Sequence, residues 1–360
     1  MDIPTRRVGF VLLCLLGLAW MARLASADEP HTEDCQRSSV LKSIVVDGVA
    51  RTYLLYVPCN FRPQKSALIV GLHGRTATAA LFETQSQLDK TANREGFAVA
   101  YLDGLVDSTG GTNWNYFYDP FFTNPPDDVG FVRAVIDSLQ AAIQPNSKRI
   151  YVTGTSAGGF MAQTVGIQLA DRVAAIAAVE GNAYVITPIS PQSIPNPVAP
   201  VSVLMLKGDL DPFNYYCGAT FTQFAAFVSS ADQDFEYWTA PAANRCSRVN
   251  TQAPMCKSVG VVGPDGTVLG RTTDVVKKSA THCKDDTEVK VYRLIGGTDA
   301  WNQNPMNVPG QIPFNPDLNR HTGVTTNDIL WRFFVEHPKA HEVRSAGSRP
   351  RIAPGHAEDE

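Results

Sequence analysis

The serine at position 156 has the surroundings that a nucleophile requires. Residues 154–158 read Gly-Thr-Ser-Ala-Gly and follow a short apolar run, residues 150–153. This order predicts a strand, a sharp turn and a helix, and the small residues let the hydroxyl of Ser156 project clear of a sheet. The backbone N–H of Ala157 then lies at a helix N-terminus, where it can stabilise an oxyanion. The alternative interpretation is an ordinary glycine-rich turn between a strand and a helix.

Two carboxylates lie where a nucleophilic serine would need an acid. Such a serine requires a base that takes its proton and an acid that orients this base. The acid is expected in a turn after a later strand, and residues 207–212 follow the apolar run at residues 201–206. Asp211 is our choice for the acid, and Asp209 is the second candidate. The alternative is that either carboxylate only caps a backbone N–H in the turn.

Apolar runs alternate with segments of helical periodicity along the chain. An N-terminal hairpin is predicted to turn at Asp47 and Gly48. The other strands are predicted at residues 67–72, 97–102, 150–153, 173–179, 201–206 and 289–295. The helices are predicted at residues 77–95, 128–143, 159–169, 221–238 and 325–336. This alternation predicts one α/β domain with a mostly parallel central sheet and helices on both faces.

The N-terminus is predicted to be a targeting segment. Arg6 and Arg7 precede an apolar run at residues 8–20, and residues 25–27 read Ala-Ser-Ala, which fits a cleavage site. The run is too short to predict a stable membrane span. Residues 1–27 are therefore predicted to be a signal peptide, and the mature protein is expected to be secreted or extracytoplasmic.

Composition and charge set the broad class. The chain has 360 residues and a formal net charge of −4, and its basic residues are scattered. This pattern argues against nucleic acid as a partner. Residues 28–337 are long enough for one large core and are predicted to form the catalytic domain. Residues 338–360 are charged and poor in apolar residues, which predicts a disordered tail.

The cysteines predict disulfide bonds. Cleavage of the signal peptide would remove Cys14 and leave Cys35, Cys59, Cys217, Cys246, Cys256 and Cys283. An even number in an exported chain indicates disulfides, and six cysteines allow fifteen pairings. A pair between Cys35 and Cys59 would link the N-terminal strands, and the other two predicted pairs are Cys246–Cys283 and Cys217–Cys256. A zinc site is the alternative, although the chain has no Cys-x-x-Cys pair.

Six segments in a fixed order resemble one known group of proteins. They are LHG at 72–74, WN at 114–115, DDVGF at 127–131, RIYVTGTSAGG at 149–159, GDLDP at 208–212 and ILWRFFVEHP at 329–338. With these segments the chain resembles, over residues 44–337, the exported polyhydroxybutyrate depolymerase and feruloyl esterase group, which are serine esterases of the family-one carbohydrate esterase type.

The resemblance implies an α/β-hydrolase fold and hydrolysis of carboxylic esters, with no metal and no other cofactor. It implies an oxyanion hole built from the backbone N–H groups of Ala157 and Arg75, and a structural role for His73. The implied partner is an ester substrate that is polymeric or attached to a plant cell-wall polysaccharide. Trp114 and Trp301 are expected to line the face that binds it, although a tryptophan in the core is an equal alternative.

One position departs from the family and puts the chemistry in question. After the last strand the family has a catalytic histidine, whereas this chain has Asp299, two residues before Trp301. A carboxylate has a reference pKa near 4 and is a poor base for a hydroxyl at neutral pH. His321, in the same predicted loop, is therefore our candidate for a relocated base; the alternative is a surface histidine.

Two functions follow from these residues. The first is a secreted serine ester hydrolase with Ser156 as nucleophile, Asp211 as acid and His321 as base. The second is a catalytically impaired relative that keeps the cleft and binds a polymer or polysaccharide, because Asp299 replaces the expected histidine. A lipase or peptidase on the same fold is a further alternative, against which the lack of a large apolar lid argues.

Overall fold

A computed structural model describes residues 38–116, 122–183, 185–186, 194–208, 211, 214, 216–221, 226–251, 275–294 and 325–340. The strands within these residues are β1 (Val40–Val46), β2 (Val49–Tyr56), β3 (Leu68–Leu72), β4 (Ala98–Leu102), β5 (Leu105–Val106), β6 (Thr112–Asn113), β7 (Ile150–Thr155), β8 (Ala175–Val179), β9 (Val185–Ile186), β10 (Ser202–Gly208), β11 (Ala219–Phe221), β12 (Ala226–Val228), β13 (Arg248–Thr251), β14 (Val275–Thr281) and β15 (Val289–Leu294). The helices are α1 (Ala79–Ser86), α2 (Leu88–Glu95), α3 (Asp128–Ala142), α4 (Ala157–Gln168), α5 (Ala231–Thr239) and α6 (Thr326–Glu336).

Ten of these strands form one sheet in the order β1-β2-β4-β3-β7-β8-β10-β15-β14-β13. The central strands from β4 to β15 are parallel, and antiparallel strands flank them on both sides. The predicted hairpin at Asp47 and Gly48 is confirmed, since β1 and β2 pair antiparallel around it. Because the central strands point the same way, their carboxyl ends share one edge of the sheet, here called the carboxyl edge.

Helices cover both faces of the sheet. Helices α3, α4 and α5 pack on one face through apolar side chains such as Phe131, Met161 and Trp238. Helices α1, α2 and α6 pack on the other face, where Phe82 and Phe334 are fully buried. The predicted mostly parallel sheet with helices on both faces is confirmed, and the architecture is that of an α/β-hydrolase.

Two predicted helices differ from the structure. The helix predicted at residues 77–95 is divided into α1 and α2 at Gln87, whose φ of 49° cannot continue a helix. The helix predicted at residues 221–238 is shorter, because β11 and β12 come first and α5 begins at the capping box of Ser230 and Gln233. The apolar spacing fits a short strand pair as well as a helix, so periodicity alone could not place this boundary.

The described cysteines confirm one predicted pairing and exclude another. Cys246 and Cys283 form a disulfide that connects the segment before β13 to the end of β14. Cys217 is an exposed free thiol, so the predicted pair Cys217–Cys256 is wrong. Cys59 is disulfide-bonded to a partner outside the described residues, which leaves its pairing with Cys35 a prediction.

A buried carboxylate on α5 makes the stability of the fold depend on pH. Asp234 is fully buried and accepts a hydrogen bond from the hydroxyl of Ser229. Burial raises the pKa of Asp234 to about 6, although the positive charge of Lys207 opposes this rise. Since the pKa of an unfolded aspartate is near 3.9, the protonated form favours folding, and this contribution is lost as the pH rises through about 6.

We therefore expect Asp234→Asn to remove this pH dependence. Relative to wild type, the variant should gain about 2 kcal/mol in free energy of unfolding between pH 4 and pH 7.5, because the amide resembles the protonated carboxyl. Urea unfolding at both pH values measures the change. Asp232→Asn, on the same helix but in a surface ion pair with Lys278, is the matched control. A constant difference between wild type and Asp234→Asn would contradict the prediction.

Candidate functional site

Ser156 occupies a strained turn at the carboxyl edge. It lies between the end of β7 and the start of α4, with φ 53° and ψ −122°, a conformation that costs free energy for a residue with a side chain. Its backbone N–H donates to the carbonyl of Val179 at 2.9 Å, which fixes the turn on the sheet. A Cβ added to Gly154 would lie 2.7 Å from the carbonyl oxygen of Leu72, so only glycine fits there. The predicted strand, sharp turn and helix are all present.

The two predicted oxyanion donors lie on segments that meet at this serine. Ala157 is the first residue of α4, so its N–H has no acceptor within the helix and lies at the positive end of the helix dipole. The loop after β3 packs directly on the turn, since a Cβ on Gly74 would lie 3.5 Å from Cβ of Ser156. Arg75 is the next residue of that loop. The fold therefore brings the segments of Ala157 and Arg75 together beside the hydroxyl.

His73 holds the oxyanion loop, residues 73–77, and cannot act as a base. It is fully buried, its Nε2 accepts from the N–H of Gly104 at 2.9 Å, and its Nδ1 donates to the carbonyl of Gly74 at 2.7 Å. Burial lowers the pKa of His73, which keeps the ring neutral. Both ring nitrogens are thus occupied, in agreement with the structural role that the resemblance implies.

Trp114 braces the same loop from inside the core. Its side chain is fully buried, and its indole N–H donates to the carbonyl of His73 at 2.8 Å. The rings of Trp114 and His73 are 4.8 Å apart. This placement corrects the expectation that Trp114 lines the substrate-binding face, because a fully buried indole offers no surface for stacking.

Asp107 gathers the hydrogen bonds that hold Arg75. The residue is only 6% exposed, and its carboxylate accepts from Arg75 Nε at 3.1 Å and Nη2 at 2.7 Å. It also accepts from the backbone N–H groups of Thr109 at 2.8 Å and Gly111 at 3.3 Å. Burial opposes ionisation, but the hydrogen bonds from Thr109 and Arg75 outweigh it and lower the pKa of Asp107 to about 2. The β5–β6 hairpin is thereby fastened to the oxyanion loop.

Asp107→Asn is expected to weaken this fastening. At pH 7 the variant should lose about 1–3 kcal/mol of stability, because charged hydrogen bonds to Arg75 become neutral ones. The pKa of Asp107 is lower in the folded state, so its contribution is present above pH 4 and is lost as the pH falls through about 2. Urea unfolding should show a smaller difference in free energy of unfolding between wild type and variant at pH 2.5 than at pH 7. Asp137→Asn, which removes a half-exposed partner of Arg172, is the control and should change stability by less than about 0.5 kcal/mol.

Asp211 follows β10 and is buried beside the carboxyl edge. It is 2% exposed, and its Oδ1 accepts from the N–H of Asn214 at 2.8 Å. Strands β7, β8 and β10 are neighbours in the sheet, so the turn that carries Asp211 ends two strands away from Ser156. The structure thus places the predicted acid at the same edge as the predicted nucleophile. Asp209, the second candidate, lies outside the described residues.

The described histidines are all unsuited to serve Ser156 as a base. His73 is fully engaged, as shown above. His337 donates from Nδ1 to the carbonyl of Phe333 at 2.7 Å and is 3.2 Å from Glu288, which precedes β15 at the opposite edge. His282 also precedes β15, a strand of six residues and hence about 20 Å from the carboxyl edge. The predicted residues Asp299, Trp301 and His321 lie outside the described residues.

Sequence reasoning missed the side chains that fix the loops around the serine. Asp107 lies in a segment that reads as irregular, and Glu180 and Lys207 lie at strand ends inside apolar runs. The one available signal was charge in an apolar context, since Lys207 and Glu180 interrupt or end runs of buried residues. Their partners are distant in sequence and could not be inferred from it.

Comparison with known proteins finds similarity to esterases over part of the chain. Residues 51–189 match the family model for esterase PHB depolymerase. NocK of Nocardia uniformis subsp. tsuyamanensis is 32% identical over 185 residues, which are 50% of this chain and 51% of that protein. Feruloyl esterase B of Piromyces equi is 36% identical over 128 residues, 35% of this chain and 23% of that protein. Poly(3-hydroxyalkanoate) depolymerase C of Paucimonas lemoignei is 30% identical over 129 residues, 36% of this chain and 31% of that protein.

The resemblance predicted from the six sequence segments is thus confirmed, although the chain spans about half or less of the length of these relatives. Among solved structures, the acetyl xylan esterase from Aspergillus awamori covers 72% of this chain and 94% of its own, with a TM-score of 0.46 and 13% identity. Within the described residues, none of the helices combines the length and apolar character needed to cross a membrane.

Proposed function

We propose that this chain, which resembles the polyhydroxybutyrate depolymerase and feruloyl esterase group over residues 51–189, is a secreted serine carboxylic-ester hydrolase. Ser156 is the nucleophile and Asp211 the orienting acid. The backbone N–H groups of Ala157 and Arg75 form the oxyanion hole. His321 is the base.

The residues divide the reaction into two steps. Ser156 Oγ attacks the ester carbonyl carbon while the base takes the hydroxyl proton, and the oxyanion that forms is stabilised by the two N–H groups. The tetrahedral intermediate collapses, the C–O bond to the alcohol breaks, and the base returns the proton to the leaving alcohol. Water then hydrolyses the acyl-enzyme by the same sequence and restores the serine.

The strained backbone of Ser156 is the observation that carries the proposal. A positive φ in a non-glycine residue costs about 1–3 kcal/mol and persists only where the surrounding structure imposes it. Here the strain aims the side chain at the edge where Ala157, the oxyanion loop and Asp211 also lie. A turn that only connects a strand to a helix requires neither a strained serine at its tip nor a buried carboxylate at the same edge.

The assignment of His321 rests on exclusion and on chain connectivity. The described histidines are engaged elsewhere or lie at the opposite edge. Leu294 is the last described residue of β15 and pairs with Gly208 next to the turn of Asp211, so the segment that contains His321 follows the carboxyl edge in sequence. A neutral imidazole there would provide the proton transfer that Asp299 cannot provide at neutral pH.

The second candidate function is a catalytically impaired relative that binds a polymer. Asp299 favours it, because it stands where the family has its catalytic histidine. Loss of one triad member still leaves about 10³- to 10⁴-fold catalysis over water from the oxyanion hole and binding. Trace activity alone therefore does not separate the two functions.

The proposed substrates are esters of an aromatic acid or of a hydroxyalkanoate polymer. Two relatives carry the names feruloyl esterase and poly(3-hydroxyalkanoate) depolymerase, and a third, from Neocallimastix patriciarum, is named a bifunctional acetylxylan esterase/xylanase. Esters attached to plant cell-wall polysaccharide are therefore included in the proposal. Trp301, two residues from Asp299, is proposed to line the substrate-binding face.

The test combines turnover with labelling of the serine. The full-length secreted chain is assayed on p-nitrophenyl acetate and methyl ferulate, and its reaction with a fluorophosphonate probe is timed. His321→Ala should slow both by about 10³-fold, whereas the control His282→Ala should change neither. Labelling of His321→Ala at the wild-type rate would eliminate the relocated base. Absence of any turnover that depends on Ser156 would favour the impaired relative.

A further inference from the structure

Buried charges lie side by side next to the turn that begins at Gly208 and carries Asp211, here called the acid turn. Glu180 follows β8, and Lys207 and Arg293 lie at the same level in β10 and β15, where they pair in register. Glu180 and Lys207 are fully buried, and Arg293 is nearly so. Asp234 faces this row from α5. Burial of several charges in one layer is costly unless each is paired or hydrogen-bonded.

Glu180 binds the first residue of the acid turn. The backbone N–H of Gly208 donates to both carboxylate oxygens of Glu180, at 2.7 and 2.9 Å. Asp211 is three residues further along the same turn. The backbone N–H of Glu180 also donates to the carbonyl of Leu206 at 2.9 Å. The backbone of Glu180 therefore binds Leu206 and its side chain binds Gly208, so Glu180 fixes the end of β10 where the chain enters the acid turn.

Residues 179–181 also pack against the turn that carries Ser156. Residue Gly181 packs against the start of α4, since a Cβ on Gly159 would lie 2.9 Å from the backbone N of Gly181. The residue before Glu180 is Val179, whose carbonyl accepts from the N–H of Ser156. Thus residues 179–181 contact the nucleophile on one side and the acid turn on the other.

Lys207 and Asn182 complete the layer. Lys207 Nζ donates to Oδ1 of Asn182 at 2.5 Å, and the amide of Asn182 donates to the carbonyl of Ser229. The Ser229 hydroxyl in turn donates to Asp234. Lys207 thus binds Asn182, two residues after Glu180, and its positive charge acts on the buried carboxylate of Asp234.

The backbone of Glu180 is itself strained. Its φ is 53°, which an L-residue with a long side chain adopts only where neighbours compel it. The strain and the buried charge are two independent costs at one residue. Both are explained if this position serves the geometry of the site rather than the stability of the core.

We propose that Glu180 is a positioning residue that fixes Asp211 relative to Ser156. The inference rests on the proposed function, because it assigns a geometric task to a residue outside the triad. A carboxylate suits the task since it accepts the Gly208 N–H more strongly than an amide does. A displacement of about 1 Å at the acid is enough to cost about 10²-fold in rate.

The test uses the isosteric variant Glu180→Gln on the full-length chain, with p-nitrophenyl acetate as substrate. We expect kcat to fall about 10- to 100-fold with KM changed less than about 2-fold. The acidic limb of the kcat/KM profile should move to lower pH, because a displaced Asp211 stabilises the protonated base less. Amide hydrogen exchange at Gly208 should accelerate, a readout that does not need activity.

Glu288→Gln is the matched control. Glu288 is a half-buried carboxylate paired with Lys290 and His337 at the opposite edge, so its loss affects stability without touching the site. If both variants lower the melting temperature but only Glu180→Gln shifts the pH limb and Gly208 exchange, positioning is supported. Wild-type kcat and pH profile in Glu180→Gln would overturn it.

A second variant guards against loss of folding. Glu180→Asp keeps the charge and tolerates positive φ, but its carboxylate falls short of Gly208 by one methylene. It should show the same shift in the pH limb with a smaller loss of kcat, and an unchanged limb would overturn the proposal. A wild-type chain without any turnover dependent on Ser156 would instead contradict the proposed function, which distinguishes the two failures.

Discussion

Ser156→Ala is expected to lower kcat for ester hydrolysis by about 10⁴-fold or more while leaving KM and the melting temperature nearly unchanged. The hydroxyl is the only group at the tip of this turn that can form the acyl-enzyme. The proposed oxyanion donors and the turn that carries Asp211 should stay in place when Oγ is removed, so substrate binding should persist. Steady-state kinetics on p-nitrophenyl acetate and labelling by a fluorophosphonate measure the loss.

Ser156→Gly provides a control that separates strain from chemistry. Glycine adopts positive φ at little cost, so this variant should be equally inactive but more stable than Ser156→Ala by about 1–2 kcal/mol. The exposed residue Ser43 in β1 offers a neutral comparison, since Ser43→Ala should alter neither rate nor stability. Residual hydrolysis by Ser156→Ala at more than a few per cent of wild type would show that another residue is the nucleophile.

Asp211→Asn is expected to produce the second largest loss, about 10³- to 10⁴-fold in kcat at pH 7. An amide can still accept from the N–H of Asn214, so the turn should keep its shape. It can, however, stabilise neither the correct tautomer of the base nor the imidazolium that forms during attack. The measurement is kcat as a function of pH. Activity should partly recover at high pH, because hydroxide can then take the proton of the Ser156 hydroxyl in place of the base.

Asp209→Asn is the matched comparison for the acid. The two aspartates are two residues apart in the sequence, and only one can orient the base. If the Asp209 variant loses more activity than the Asp211 variant, the roles are reversed. Equal and small effects in both would favour the impaired relative, because a site without a working base has no need of its acid.

Local sequence was sufficient where the signal is local. The glycines around Ser156 predict the turn because a side chain at Gly154 would collide with Leu72, and any such turn needs small residues there. Uninterrupted apolar runs predict the central strands because a parallel sheet covered on both faces buries every residue of β3, β4 and β8. The order of the proposed nucleophile and the proposed acid along the chain then follows from the order of the strands.

Local sequence failed where the outcome depends on distant partners. Periodicity extended the helices past Gln87 and back to residue 221, because short-range spacing does not register a left-handed residue or a strand pair. Trp114 has the residue type of a substrate-binding surface, and only the fold shows it donating to the carbonyl of His73 inside the core. Cys217 likewise remains a free thiol because, among the described residues, the fold does not bring a second cysteine close enough to form a disulfide with it.

The sequence by itself determined the sharp turn at Ser156, the alternation of strands and helices, and the resemblance to ester hydrolases, because each is encoded by residues within a few positions of one another. The tertiary structure alone decided what holds these parts in register. Asp107 grips Arg75 from 32 residues away, and Glu180 grips Gly208 from 28 residues away. Such contacts have no local pattern, because buried charges are tolerated only where the complete fold supplies their partners.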